Sequence, residues 1–249
     1  MARYDVMIVG AGPAGSIAAQ RLASSGMKVL LLEKEKVPRL KTCGDLVARE
    51  GLEALERTGL GEWMKQFKEV RSLRFTSPDV LVLDIPIEAK NGKPLARIIP
   101  RRLMDALLTE TAVKAGAQLM DQARVDAVSI DRSAGVRITA GKDTFQGQML
   151  ILADGSHAPV TRKLGLIKTA LPDLIAMRQY LAGDSDPNGP LEFHFQKNII
   201  PGYTWMFPMG DGHLNVGAGT YTSRTRSGAL DLRSVVQSFI ENHPLKSDR

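Results

Sequence analysis

The N-terminal segment combines a short apolar run, a glycine-rich turn and a helical pattern. Residues 4–9 form a short run that is apolar apart from Asp5 and contains three β-branched side chains, and the run ends at a glycine. Residues 13–26 then carry Ala, Ile and Leu at helical spacing, and a second apolar run occupies residues 29–32. Strand, glycine turn, helix and strand in this order predict a βαβ unit with two parallel strands.

The rest of the chain alternates between helical and strand-like patterns. A two-residue period predicts a hairpin over residues 71–85 that turns at residues 77–79. Helical periodicity predicts helices at residues 46–66, 101–115 and 230–242, the last ending at Pro244. Apolar runs separated by turn residues predict strands near residues 117–130, 135–140, 143–153, 175–181, 191–196, 203–207 and 213–218.

Composition narrows the class of protein. The chain has 249 residues, 43% of them hydrophobic, so it can bury a sizeable core. No apolar run approaches the ~20 residues that span a bilayer, and we expect neither a transmembrane anchor nor a signal peptide. One cysteine, Cys43, fits a reducing compartment and predicts a cytoplasmic protein. The histidines lack the spacing of a zinc site, so no metal is expected.

The formal net charge is +6, and a basic protein of this kind can bind nucleic acid or an anionic membrane. The densest basic segment, residues 34–41, is interrupted by Glu35 and Pro38 and has no neighbouring row of aromatic residues. We therefore expect a solvated loop there and no nucleic-acid binding. Basic charge favours peripheral contact with an anionic membrane, and the sequence does not indicate an oligomeric state.

The first chemical motif is Gly-Ala-Gly-Pro-Ala-Gly, which spells G-x-G-x-x-G between the first predicted strand and helix. Gly10 allows the tight turn, Gly12 allows a pyrophosphate to approach the backbone, and Gly15 allows close packing of helix and strand. The helix that starts at Pro13 and Ala14 offers unpaired N–H groups and a positive dipole end to the anion. The motif therefore predicts a dinucleotide site.

Glu33 ends the second predicted strand, where a carboxylate can accept hydrogen bonds from the ribose hydroxyls of adenosine. The same carboxylate would repel a 2′-phosphate, so NADP is disfavoured. NADP is not excluded, because the basic Lys34 and Lys36 follow directly. FAD and NAD both satisfy the motif up to this point.

Two later segments resemble flavoprotein hydroxylases and their relatives. Leu-Ile-Leu-Ala-Asp-Gly at residues 150–155 resembles their strand-Ala-Asp-Gly element, which implies that Asp154 and Gly155 approach the ribityl and pyrophosphate region of FAD. Arg101, with Asp105 four residues later, resembles the Arg-x-x-x-Asp helix start that these proteins place near the cofactor. The resemblance therefore selects FAD over NAD.

Two more segments narrow the resemblance to the geranylgeranyl reductase family. Lys-Thr-Cys-Gly-Asp at residues 41–45 matches the family's Lys-x-Cys-Gly loop. Pro-Gly-Tyr-Thr-Trp-Met-Phe-Pro at residues 201–208, continuing to Asn-Val-Gly at residues 215–217, matches its Tyr-x-Trp-x-Phe-Pro signature. Alternating aromatic residues of this kind rarely recur by chance, so the second match is the more specific.

The resemblance implies FAD-dependent reduction of isolated C=C bonds in isoprenoid chains, such as those of archaeal-type lipids, chlorophyll precursors or menaquinone. An unactivated alkene accepts hydride poorly, so an acid must protonate its other carbon. Cys43 is the candidate for this acid or for positioning the alkene, with Gly44 beside it at the cofactor, and a small buried hydrophobe is the alternative. NADPH or reduced ferredoxin is the implied electron donor.

Tyr203, Trp205 and Phe207 alternate along a predicted strand, which puts their rings on one face. Together with Pro208 they are candidates for lining an apolar tunnel for a prenyl tail. Core packing of the same rings is the alternative explanation.

These patterns predict an α/β fold in which a glutathione reductase-2-like, Rossmann-type FAD-binding domain is interleaved with an antiparallel β-sheet substrate domain. The FAD-binding domain is predicted at residues 1–70 and 98–168, and the substrate domain at residues 71–97 and 169–249. The resemblance also implies a later Gly-Asp segment beside the flavin, which the sequence does not reach before Arg249. We therefore expect a fragment of a longer protein.

Two other functions stay open at this point. An FAD-dependent monooxygenase or halogenase would use the same scaffold, although the Lys-x-Cys-Gly loop argues against it. A truncated, non-catalytic paralogue would carry prenyl lipid or pair with another subunit, and the missing Gly-Asp segment supports it.

Overall fold

The computed structural model describes residues 3–89, 91–131, 133–168, 172–183 and 186–243. The chain divides into two compact units, each built from two segments: the first unit from Met1–Lys41 and Arg101–Ala170, the second from Thr42–Pro100 and Leu171–Arg249. The predicted division grouped residues 42–70 with the FAD-binding part, whereas in the structure these residues pack within the second unit.

The secondary-structure elements follow one another in a mixed order. In chain order they are β1 (Arg3–Val9), α1 (Pro13–Ser24), β2 (Val29–Leu32), β3 (Leu46–Ala48), α2 (Arg49–Arg57), α3 (Gly61–Met64), β4 (Ser72–Thr76), β5 (Val82–Pro86), β6 (Ala96–Ile98), α4 (Arg101–Lys114), β7 (Gln118–Met120), β8 (Ala127–Asp131), β9 (Gly135–Ala140), β10 (Asp143–Leu152), α5 (Pro159–Lys163), β11 (Leu174–Ala182), β12 (Leu191–His194), β13 (Tyr203–Pro208), β14 (His213–Tyr221), α6 (Thr222–Arg226) and α7 (Leu232–Asn242).

The first unit contains the predicted βαβ unit, and its sheet has the order β7-β2-β1-β10-β9-β8. Strands β7, β2, β1 and β10 are parallel, and β9 and β8 continue the sheet in antiparallel pairing. Alternate residues of β1 enter two cores, because Ile8 packs with one buried cluster and Met7 with another. Burial on both faces explains why β1 and β2 are almost continuously apolar.

The second unit contains a sheet of order β11-β14-β13-β12-β4-β5. Its pairs are antiparallel except β12 with β4, which are parallel and place Phe193 opposite Phe75. One face carries α7, whose Val236 and Phe239 pack in a cluster with Met206. The other face of β13 buries Trp205 and Phe207. The predicted hairpin at residues 71–85 is confirmed as β4 and β5.

Two predictions of secondary structure were wrong in detail. Residues 46–48 form strand β3 instead of the start of a helix, because they pair with β6, which lies far along the chain. The predicted strand at residues 117–130 is two strands, β7 and β8, whose partners differ. The short helices α5 and α6 were not predicted. The predicted helix end at Pro244 lies outside the described residues.

Across the described ranges, none of the helices combines the length and the apolar character needed to cross a membrane.

Candidate functional site

Two of the three motif glycines make the turn after β1 possible. Gly10 has φ +104°, and a Cβ atom at this position would lie 2.2 Å from the carbonyl oxygen of Ala153. A Cβ atom on Gly15 would lie 1.9 Å from the carbonyl oxygen of Gly10. Side chains at either position would therefore push the turn, α1 and the end of β10 apart.

Gly12 is different, because its surroundings are open. It is the N-cap of α1 with φ −78° and ψ −176°, which any residue can adopt. A Cβ atom here would meet only the Arg39 Nη2 atom, at 3.6 Å. Among the described residues no side chain caps the first turn of α1, which starts at Pro13 and Ala14. A glycine cradle at an uncapped helix N-terminus fits a pyrophosphate.

The Glu33 carboxylate is held against the same turn. It is buried and accepts hydrogen bonds from the backbone N–H of Ala11 at 3.0 Å and of Glu35 at 3.1 Å. These bonds fix the carboxylate at the end of β2, close to the glycine cradle, as recognition of an adenosine ribose requires. The neighbouring Lys34 side chain is exposed.

Arg39 links Glu33 to a second buried carboxylate. Its Nε atom lies 3.3 Å from Glu33 Oε2 and its Nη1 atom 3.3 Å from Asp105 Oδ2. Asp105 in turn pairs with Arg101 through two bonds of 2.7 and 2.8 Å. Two carboxylates and two guanidinium groups thus balance each other beside the helix that starts at Arg101.

The expectation of a solvated loop at residues 34–41 was wrong for Arg39, whose side chain is only 14% exposed. Its carboxylate partners come from β2 and α4, which are distant in sequence, so the local run of charges could not reveal them. Arg39 is the residue of this site that the sequence analysis missed.

If Glu33 binds the ribose as the sequence predicts, replacing it with glutamine is expected to weaken FAD binding about tenfold, because the ribose would lose a charged acceptor worth about 1.5 kcal/mol. Equilibrium titration of the FAD-free protein with FAD measures this change. Glu35→Gln is the matched control, since the Glu35 side chain is exposed on the same loop. Unchanged affinity in Glu33→Gln would mean that the carboxylate serves only the packing of the turn.

The Ala-Asp-Gly segment lies next to the glycine turn, since Ala153 donates its N–H to Val9 at 2.8 Å. The Asp154 carboxylate accepts hydrogen bonds from the N–H groups of Val160 and Thr161 at 2.8 and 3.1 Å, and from the Thr161 hydroxyl at 2.7 Å. It therefore caps the first turn of α5 within the first unit. Gly155 follows with an exposed position and φ +79°.

In the second unit, the Cys-Gly loop lies against the aromatic strand β13. A Cβ atom on Gly44 would lie 3.1 Å from Phe207 Cε2 and 3.9 Å from Trp205 Nε1. Cys43 is partly buried in this loop. The fold thus brings together the two segments that carried the resemblance to geranylgeranyl reductases.

Asn215 joins the loop to the strand. Its side chain is fully buried; its Oδ1 atom accepts a 3.0 Å hydrogen bond from Trp205 Nε1. Its Nδ2 atom donates to the Cys43 carbonyl oxygen at 2.9 Å and to Asp45 Oδ2 at 2.8 Å. One amide therefore sets the position of the backbone at Cys43.

Asp45 and Tyr180 complete this network. Asp45 is fully buried and has φ +61°, a left-handed conformation that aspartate tolerates better than most residues. It accepts a 2.6 Å hydrogen bond from the Tyr180 hydroxyl. Burial, and then this bond to Asp45, raise the pKa of Tyr180, so the phenol keeps its proton. The sequence analysis assigned neither residue a role.

The aromatic side chains of β13 differ in exposure. Trp205 and Phe207 are buried in the core cluster of the second unit, whereas Tyr203 is 37% exposed. Ring centroids lie 6.1 Å apart for Tyr203 and Trp205, and 6.1 Å apart for Trp205 and Phe207. The three rings therefore share one face, as the alternation predicts, and Pro208 is buried at the end of the strand.

Comparison with known proteins identifies the family. Residues 3–177 match the FAD binding domain family, and residues 173–249 match the geranylgeranyl reductase catalytic domain family. The chain belongs to the FAD binding domain family of flavoproteins, and its C-terminal part is similar to the catalytic domain of geranylgeranyl reductases. The predicted resemblance, the fold class and the choice of FAD are thereby confirmed.

Three relatives show how far the similarity extends. Menaquinone reductase of Mycobacterium tuberculosis (strain ATCC 25618 / H37Rv) is 31% identical over 95% of this chain and 60% of its own. Digeranylgeranylglycerophospholipid reductase of Methanosarcina acetivorans is 34% identical over 96% of this chain and 60% of its own. A geranylgeranyl bacteriochlorophyll reductase-like protein from Thermoplasma acidophilum, known from a crystal structure, is 29% identical in sequence. The two structures match with a TM-score of 0.82 over 98% of this chain and 63% of that one.

The chain thus spans about 60% of the length of the curated relatives it matches.

Proposed function

We propose that this chain belongs to an FAD-dependent reductase that saturates C=C bonds of an isoprenoid chain. The observation that carries the proposal is the packing of the Cys-Gly loop against Trp205 and Phe207. The names of the relatives, a menaquinone reductase and a digeranylgeranylglycerophospholipid reductase, support a prenylated substrate. We propose NADPH or reduced ferredoxin as the electron donor.

The first unit would hold the cofactor. The glycine turn and the start of α1 would bind the pyrophosphate, and Glu33 would bind the ribose. The proposed cofactor contacts are Gly10, Gly12, Pro13, Ala14, Gly15, Glu33, Lys34, Arg101, Asp154 and Gly155, with Cys43 and Gly44 from the second unit. Because Asp154 caps α5, its proposed contribution is to position the Ala-Asp-Gly turn.

When bound and reduced, FAD supplies a hydride equivalent. An alkene needs a proton on its second carbon, and Cys43 is the proposed donor through its thiol. Asn215 and Asp45 would act as positioning residues, since the Asn215 amide holds the Cys43 carbonyl and the Asp45 side chain on either side of Gly44. Tyr203, Trp205, Phe207 and Pro208 are the proposed contacts to the prenyl chain.

Anaerobic turnover tests the proposal. The purified chain is loaded with FAD, reduced with dithionite and incubated with a digeranylgeranyl lipid or a menaquinone. Mass spectrometry should show a gain of two hydrogens for each saturated bond, together with reoxidation of the flavin. In a parallel aerobic assay, oxygen consumption that yields hydroxylated or halogenated product would favour a monooxygenase or halogenase instead. A chain that retains no flavin absorbance once unbound FAD is removed would favour a non-catalytic lipid carrier.

Replacing Cys43 with alanine is expected to lower the rate of alkene reduction roughly 100-fold, the usual contribution of a general acid. FAD affinity should stay the same. Cys43→Ser should keep the packing but lose most of the rate, because a hydroxyl is a weaker acid than a thiol. Thr42→Ala, an exposed neighbour, is the control. A rate within twofold of the parent in Cys43→Ala would exclude the thiol as the proton donor.

Peripheral membrane contact is a further part of the proposal. The turn between β4 and β5 carries apolar side chains that are more than half exposed, with Val80 at 76% and Leu81 at 74%. We expect the protein to co-sediment with anionic vesicles at low salt, and the double change Val80→Ser with Leu81→Ser to reduce the bound fraction severalfold. Equal sedimentation of both proteins would exclude this turn as the contact.

A further inference from the structure

A cluster of two histidines and a glutamate lies in the second unit, between the sheet and the end of α7. Glu192 and His194 sit two residues apart on β12 and so point to the same face. His243 follows the last residue of α7. The Nε2 atoms of His194 and His243 lie 2.9 and 3.1 Å from the same carboxylate oxygen, Glu192 Oε2.

These groups are largely withdrawn from solvent. The side chains of Glu192 and His194 are both 15% exposed, and that of His243 is 7% exposed. The Phe239 ring lies against both imidazoles, with centroid distances of 4.8 and 5.3 Å. Three polar side chains converging in an apolar setting are costly unless they satisfy one another or a common ligand.

The Glu192 carboxylate stands at the centre of the cluster, because the Nε2 atoms of both imidazoles approach the same oxygen. A cation, Arg74, also lies near, with its Nη1 atom 3.9 Å from the second oxygen, Oε1. Asp84 compensates Arg74 through bonds of 2.7 and 2.8 Å.

We propose that Glu192, His194 and His243 form a binding site for a divalent transition-metal ion, with Zn²⁺ as its best-fitting member. Two imidazole nitrogens and one carboxylate oxygen are ligands that zinc uses, at bond lengths of about 2.0–2.2 Å. A tetrahedral ion with such bonds separates its ligands by about 3.3 Å. The three ligand atoms already lie within 4.8 Å of one another, so side-chain rotations bring them onto one ion.

The sequence analysis expected no metal site because the histidines are scattered along the chain. The fold brings residues that are distant in sequence together, since α7 packs on the sheet and places His243 beside Glu192 of β12. An ion held at this place ties the end of α7 to the strand beneath it. With three protein ligands and a water molecule it would act as a structural clamp that stabilises the second unit.

Direct metal binding tests the proposal. The full chain, free of any affinity tag, is stripped with a chelator, dialysed against Zn²⁺ and analysed for bound metal. We expect one Zn²⁺ per chain and a higher unfolding temperature with the ion. His194→Gln and Glu192→Gln should each weaken binding at least about 100-fold, since even outer partners of a metal ligand contribute 10–100-fold. His213→Gln is the matched control, because His213 is exposed and lies on the same sheet.

The proposal is overturned if the chain, after stripping and dialysis against Zn²⁺, holds less than half an equivalent of the ion, or if His194→Gln and Glu192→Gln hold as much as the parent does. The visible bands of tetrahedral Co²⁺, recorded on the parent as a difference spectrum before and after addition of the ion, give a readout that needs no variant. Their absence would equally overturn it. Neither measurement depends on flavin or on catalysis, so the proposed reductase activity stands or fails separately.

Discussion

Replacing Gly12 with valine is expected to lower the affinity for FAD on the order of 1,000-fold while the protein stays folded. The backbone at Gly12 is extended, with φ −78°, so valine meets no conformational barrier. Its side chain would point into the open space at the start of α1, where we place the pyrophosphate. Two charge-assisted hydrogen bonds from the helix N-terminus, worth about 1.5–3 kcal/mol each, would be lost.

The change at Gly12 is measured by FAD titration and by thermal unfolding. Gly15→Val is the contrasting variant, because a Cβ atom there would lie 1.9 Å from the carbonyl oxygen of Gly10, and it should unfold the first unit. Gly61→Val is the matched control, since Gly61 lies in the second unit and its nearest contact, Glu56 Cγ, is at 3.5 Å. Full FAD affinity in a folded Gly12→Val protein would refute the proposed pyrophosphate site.

Replacing Asn215 with leucine is expected to reduce the free energy of unfolding by about 4 kcal/mol. The change removes the hydrogen bonds of the Asn215 amide to three groups, and each loss costs about 1–3 kcal/mol. The three groups are the Trp205 indole N–H, the Cys43 carbonyl and the Asp45 carboxylate. The carboxylate keeps its bond from Tyr180, which limits the total loss.

Denaturant unfolding of the FAD-loaded chain measures this loss. Asn242→Leu is the matched control, because the Asn242 amide is exposed and bonds to Ser238 within α7, so its loss should be below about 0.5 kcal/mol. If the second unit folds in Asn215→Leu, the rate of alkene reduction should fall as well, since the Cys43 backbone is no longer held. A loss of stability below 1 kcal/mol would show that the amide is not the link between loop and strand.

The βαβ unit was predictable because its signals are local. The apolar run of β1, the glycine turn and the helical spacing of α1 lie within one stretch of sequence. Each of these patterns predicts the backbone conformation of its own residues. Glu33 could be placed at the glycine turn for the same reason, since it ends the strand that follows α1. The alternation of Tyr203, Trp205 and Phe207 likewise predicted a strand with its rings on one face.

The partners of these segments were not predictable in the same way. Residues 46–48 have the apolar spacing of a helix but form strand β3, because pairing with β6 outweighs local propensity. Arg39 looked like a solvated cation, but its partners Glu33 and Asp105 come from β2 and α4. The spacing of residues along the chain does not show which distant side chains come into contact.

The sequence alone was sufficient to predict the FAD-binding family, the Rossmann-type unit and its glycine cradle, because these depend on backbone conformation and residue type in short segments. Tertiary structure decided which side chains meet: Asn215 with the Cys43 loop, Arg39 between two carboxylates, and His243 with Glu192. The physical reason is that buried polar groups take their partners from whatever the packing of distant strands and helices brings within hydrogen-bond distance.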